Sequence, residues 1–260
     1  MSALQDALLI LGPAMIAGAL VVLSHVPLGM QVLTRGIVFI DLAVAQVAGV
    51  GVIVGHNLGL AIEGWGTQAA AVVAALLGSL LLTWTERKRP EVQEALIGVL
   101  FVLASTAQIL LLANDPHGGE DLKDLLAGQI LWVSPPQLWR AGALTALFVV
   151  VWWRWREQLG RIGFYVMFAL MVTVSVQLVG VYLVFSSLIV PALAVYRHPP
   201  RRRLWLGLGL SVVSYAVGLL GSALFDLPAS PLIVWAMAVI GVVVHLLGRE
   251  APVTAAGAHS

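Results

Sequence analysis

Long apolar runs separated by short polar breaks dominate the chain, and most of the runs approach the length of a membrane crossing. About nine can be read: residues 7–26, 38–59, 67–84, 92–113, 138–154, 163–179, 181–196, 203–222 and 231–247. A helix crossing roughly 30 Å of hydrocarbon needs about 20 mostly apolar residues, and shorter runs suffice where neighbours bury the ends. The apolar positions do not alternate as strand positions would, and only helices or closed barrels satisfy the backbone inside lipid. The stretch from Ile162 to Tyr196 is too long for one crossing. Gly180, preceded by Gln177, supplies a break that divides it into two short helices.

The pattern therefore predicts an all-α polytopic membrane protein with about nine transmembrane helices in one transmembrane domain, residues 1–251. Residues 252–260 are small and polar and read as a disordered tail. The first apolar run lacks a basic flank and is followed by further spans, so it is expected to stay in the mature protein. The long segment 114–137 opens as a turn, Asn114-Asp115-Pro116-His117-Gly118-Gly119, and then becomes amphipathic. It reads as a short interfacial or re-entrant helix ended by Gly128 or by Pro135-Pro136.

Composition supports the membrane reading: 60% of the 260 residues are hydrophobic and 10% charged, with a mean hydropathy of +0.97. There is no cysteine, which excludes disulfides, thiolate metal sites and cysteine nucleophiles. A net charge of +1 gives no bulk attraction to nucleic acid. Neither lysine, Lys88 or Lys123, follows a glycine, so the chain carries no P-loop for ATP. An HExxH zinc-protease motif is also missing.

Orientation follows from the basic residues, which cytoplasmic loops retain. With the N-terminus outside and the C-terminus cytoplasmic, twelve of the fourteen lysines and arginines lie inside; Lys123 and Arg140 are left outside. The outer side then carries acids that include Asp115, Glu120 and Asp226. Asp115, Glu120 and His117 form a possible outer entry for a cation, against the plainer reading of a solvated loop.

Ionisable groups within spans are costly and rarely idle. Asp41, in Phe39-Ile40-Asp41-Leu42, stands near the inner start of the second run and has only Arg35 nearby in sequence. It reads either as a cation ligand or as a carboxylate that caps a helix or pairs with Arg35. His25 lies at similar depth in the first run, and a His25–Asp41 pair would suit a divalent ion; as a lone residue, His25 reads as packing. His56, fifteen residues after Asp41, is about 22 Å away along a helix and cannot share its ion. Ala48, Gly51, Gly55 and Gly59 form a small-residue stripe that lets another helix approach closely.

Several motifs taken together resemble the membrane-spanning permease subunits of zinc/manganese-type metal ABC importers. Pro27-Leu28-Gly29, Arg35 and Phe39-Ile40-Asp41 are similar to that family's first loop and second helix. Glu94-Ala95-Leu96-Ile97-Gly98 resembles its fourth-helix entry. The most specific stretch is Val179-Gly180, followed by Ser186-Ser187-Leu188-Ile189-Val190-Pro191-Ala192. Asp226-Leu227-Pro228-Ala229-Ser230-Pro231 resembles the turn before its last helix. The resemblance implies a homodimer in the cell membrane, two cytoplasmic ATPase subunits and an outer solute-binding protein. It also implies divalent transition-metal cargo, zinc ahead of manganese or iron, with no stably bound cofactor and no catalysis in this chain.

Two departures qualify that expectation. The family commonly places a His four residues after the helix-two Asp, where this chain has Ala45 beside Gln46. His25 and Gln46 are the candidates to compensate, so Asp41, His25 and Gln46 form the expected transient ligand set. The second departure is the short connection between Trp155 and Phe164, where the family carries a longer piece that docks on the ATPase. Glu157, Gln158 and Arg161 remain there as coupling candidates, with Arg201 in the Arg197–Arg203 segment and the Glu86–Glu94 loop as further contact points. The other reading is a proton-coupled secondary metal carrier that acts without an ATPase.

Overall fold

The computed structural model describes residues 3–61, 64–113, 115, 119, 126–155 and 158–248, with the backbone alone for 3–10, 200 and 201. The described residues are helical, with no strand. The helices are α1 (Ala3–Arg35), α2 (Ile40–Asn57), α3 (Trp65–Lys88), α4 (Gln93–Leu112), α5 (Pro135–Trp155), α6 (Gly160–Val179), α7 (Val181–Ala194), α8 (Pro200–Phe225) and α9 (Ala229–Leu247). Seven of them are long and apolar enough to cross a membrane; α7 is apolar but shorter, and α5 is outside that set. The tail 252–260 lies outside the described residues.

Two groups of helices share one core. In the first, α2 packs on α3, α4 and α6; in the second, α1 packs on α5, α7 and α8, while α9 closes against α7 and α8. α6 joins the groups, touching α2 and α3 on one side and α1, α5 and α7 on the other. Its Phe168, Ala169, Val172 and Val176 are all buried. α4 and α9 instead leave Leu103, Leu110, Trp235 and Val239 mostly exposed. A soluble monomer could not carry so large an apolar surface. Hydrocarbon costs such side chains nothing, so a lipid-facing helix is apolar all round.

Two expectations about the first run need correction. α1 does not end before Pro27: it continues to Arg35, so Pro27-Leu28-Gly29 lies within a helix and not in a loop. Proline removes one backbone hydrogen bond, which neighbouring helices in a bundle can tolerate. Leu28 and Val32 are fully buried, so packing holds this part of α1 in place. Gly29 shows how closely, since a Cβ there would collide with the Leu188 carbonyl of α7.

The break at Gly180 is present, at φ +83 between α6 and α7. Gly128, also at positive φ (+70), lies against it backbone to backbone: a Cβ on Gly128 would meet Val179, and one on Gly180 would meet Ala127 and Gly128. Ala127 and Gly128, within the segment 114–137, thus dock on the α6–α7 break. Pro135 opens α5, where its missing N–H is harmless.

Candidate functional site

The first turn of α2 gathers the polar features of one end of the bundle. Phe39 offers no side-chain cap; its N–H instead donates to Glu94 Oε1 of α4 at 3.2 Å. Asp41 is 1% exposed, and its Oδ1 accepts from the Leu42 N–H at 2.8 Å. Both carboxylates therefore address the positive end of α2, where free N–H groups favour negative charge. Arg35 and Asp41 make no ion pair; the Arg35 guanidinium sits over the Phe164 ring, 4.1 Å from its centroid. The Phe39 ring lies parallel to Phe185 of α7, at 6.3 Å. Asp41 is consequently a buried acid whose neighbour in sequence is engaged elsewhere.

Gln46, one turn and a half deeper, is joined to a residue that sequence reading missed. Gln108 of α4 donates its Nε2 to the Gln46 side-chain oxygen at 2.7 Å and to the Gln46 backbone oxygen at 2.8 Å. Gly49 leaves room for this bridge, because a Cβ there would lie 2.9 Å from Gln108 Nε2. The signal was available: Gln108 is an amide deep inside the apolar run 92–113, fifteen residues past Gln93 at its start. The small-residue stripe has a different target. Gly51 and Gly55 face α3 at Ala70, Ala71 and Thr67, while Gly59 lies in the turn after α2 at φ +83 with nothing near its Cβ position.

His25 is fully buried in α1. Its Nδ1 lies 3.0 Å from the Val21 carbonyl and 2.9 Å from Ser24 Oγ. A proton on Nδ1 satisfies that carbonyl and leaves Nε2, which is buried without a partner, as the lone-pair nitrogen. His25 Nε2 makes no hydrogen bond to Asp41, and α1 and α2 are not among the closely packed helix pairs. Among the described residues no group of three or more His, Asp or Glu forms a metal cage.

Of the outer-entry candidates, His117 and Glu120 lie outside the described residues, and Asp115 follows the end of α4, its N–H bonded to the Leu112 carbonyl at 3.0 Å. His56 is exposed at the end of α2. Of the coupling candidates, Glu157 lies outside the described residues, while Gln158 and Arg161 are exposed beside the turn that joins α5 to α6. Arg201 falls in the first turn of α8, not in a loop. Glu94 was noted in sequence as part of a motif and as the end of the Glu86–Glu94 loop; its bond to Phe39 reveals its place at α2.

The pattern of the ABC 3 transport family matches residues 7–162 and 156–248. The chain belongs to that family. An uncharacterized membrane protein of Synechocystis is 26% identical over 85% of this chain and 84% of its own length. A manganese transport system membrane protein, MntC of Halalkalibacterium halodurans, is 23% identical over 80% of this chain and 76% of its own. The solved structure of PsaBC from Streptococcus pneumoniae in complex with Fab has a similar fold, with TM-score 0.78 and 20% identity over 94% of this chain and 95% of that one. As a member of this ABC transport family the chain is a multi-span permease of the cell membrane, a transporter subunit in kind.

Proposed function

We propose that this permease imports a divalent transition metal as a homodimer, driven by two cytoplasmic ATPase subunits and supplied by an outer solute-binding protein. In this reading the nine helices all span, with the N-terminus outside and the basic ends of α1, α3, α5 and α8 in the cytoplasm. Asp41 carries the proposal: a buried carboxylate at the inner start of a central helix, with a main-chain partner and no ion pair to Arg35. Such an acid offers an ion a brief stop, and a path needs weak stations to allow release. Gln46 contributes an amide oxygen with a second lone pair, and His25 a separate station through Nε2.

Manganese takes the lead over zinc. Ala45 leaves the Asp41 stop without an imidazole on the same helix face, and oxygen-rich sites suit manganese where imidazole suits zinc. The relative named for manganese transport points the same way. Coupling runs through the exposed Gln158–Arg161 turn, with Glu157 and Arg201 as further candidates for ATPase contact.

The test is uptake of radioactive manganese and zinc into vesicles holding the chain together with its partner ATPase. ATP-dependent uptake that Asp41→Asn reduces at least tenfold is expected. Uptake that follows a proton gradient and ignores ATP would replace this reading with a proton-coupled carrier.

A further inference from the structure

At the basic end of the bundle, α5 and α8 each pack on α1, and a cleft opens between them. It consists of two hollows of about 540 and 500 Å³ that share Pro27, Trp152 and Leu204. Arg154 lines the first and Arg203 the second. Leu23 and Leu208 form the apolar wall about a turn and a half farther into the bundle. Arg203 is already oriented: its Nε–H donates to the His198 carbonyl at 2.8 Å, and its guanidinium lies over the Tyr196 ring at 5.4 Å. Four further N–H donors of that guanidinium remain for an anion. Trp205, 68% exposed, stands at the mouth, where indole rings favour the level of lipid headgroups.

Two cations at the rim and a greasy wall beneath them call for a ligand with both characters. A soluble anion would use the arginines and leave the wall wet, whereas a neutral lipid would fill the wall and leave the arginines unpaired. Basic pockets between transmembrane helices hold anionic headgroups on this principle. The arginines also cluster on the leaflet side where retained positive charge is expected. We propose that the cleft seats one anionic phospholipid, its phosphate held by Arg154 and Arg203 and an acyl chain laid along Leu23 and Leu208. Neither hollow is lined by Asp41, His25 or Gln46, so the seat is separate from the cargo stations.

The experiment is native mass spectrometry of the purified full-length chain titrated with equal amounts of phosphatidylglycerol and phosphatidylcholine of identical acyl chains. Phosphatidylglycerol adducts are expected to survive activation that strips phosphatidylcholine. Arg154→Gln should reduce that preference about fivefold, the factor one basic residue contributes near an anionic surface. Arg154→Lys should keep most of it. Leu208→Trp, which fills the wall and leaves both arginines, should weaken both lipids together. Equal retention of the two lipids, or an unchanged preference in Arg154→Gln, would overturn the proposal. Displacement of the lipid by millimolar glycerol phosphate would make the cleft a soluble-anion site instead. Protection of the Trp205 region from hydrogen exchange only in a dimer, with no bound lipid, would give it to a second copy of the chain.

Discussion

The helices around α2 and the helices around α1 differ in how much of their polarity bonds from one helix to another. Around α2, hydroxyls such as Thr83 bond back to their own helix, but amides and a carboxylate bond across: Gln108 to Gln46, Glu94 to the Phe39 N–H, and Gln93 to the Leu82 carbonyl at 3.0 Å. Around α1, most polar side chains turn back on their own helix. Ser24 bonds Val21, Ser211 bonds Gly207 and Ser214 bonds Leu210, each through a carbonyl three or four residues earlier. The second group is held by close backbone contact instead, as at Gly29 against Leu188, with Ser187 and Tyr215 (3.0 Å) as a cross-helix bond. Back-bonded hydroxyls need no particular neighbour, whereas a bridging amide or carboxylate depends on one. The α2 group is therefore where a change of helix position would break and remake polar contacts, and Asp41 lies within it.

Five substitutions test this contrast. The largest effect on uptake should come from Asp41→Asn, which is expected to lower ATP-driven uptake at least tenfold with an unchanged melting temperature in detergent. A parallel loss of stability would make Asp41 a structural cap. The largest effect on stability should come from Gly29→Ala, because the Leu188 backbone cannot give way; a loss of about 3 kcal/mol is expected, visible as a lower melting temperature and lower yield. Gly49→Ala meets only the side-chain end of Gln108, which can shift more easily than backbone, and should cost about a third as much. If the two glycine variants melt alike, backbone contact does not distinguish the groups.

Gln108→Leu comes next, leaving the Gln46 amide oxygen without its donor. Cross-helix hydrogen bonds in membranes average about 0.6 kcal/mol, so a small drop in melting temperature with a clear drop in uptake is expected. Unchanged uptake would deny the bridge a part in the transport cycle. Ser214→Ala should do least, within about 0.5 kcal/mol, since only a back-bond to its own helix is removed; a larger shift would show that this hydroxyl serves another helix.

Much of the helical layout was legible because hydropathy is a one-dimensional property. The break at Gly180 was visible as an interruption of an overlong run, and Asp41 as a lone acid in an apolar one. The end of α1 was misread because Pro27 signals a stop in sequence, while burial of Leu28 and Val32 carries the helix onward. The Gln46–Gln108 bridge spans 62 residues; each glutamine was visible, but not that they meet. Gly59 was grouped with Gly51 and Gly55 by spacing, although α2 ends before it.

By itself the sequence determined that this chain is helical and lives in lipid, since the length and apolarity of each run follow from the residues within it. It also determined, through motifs spread along most of its length, the kind of permease it resembles. Tertiary structure alone decided which polar groups meet, that Gly128 rests on the Gly180 break, that Arg35 covers Phe164 and leaves Asp41, and that a cleft lies between α5 and α8. Each of these depends on which helix faces come together, and in a nearly uniform apolar sequence many faces look alike until packing and a few hydrogen bonds choose among them.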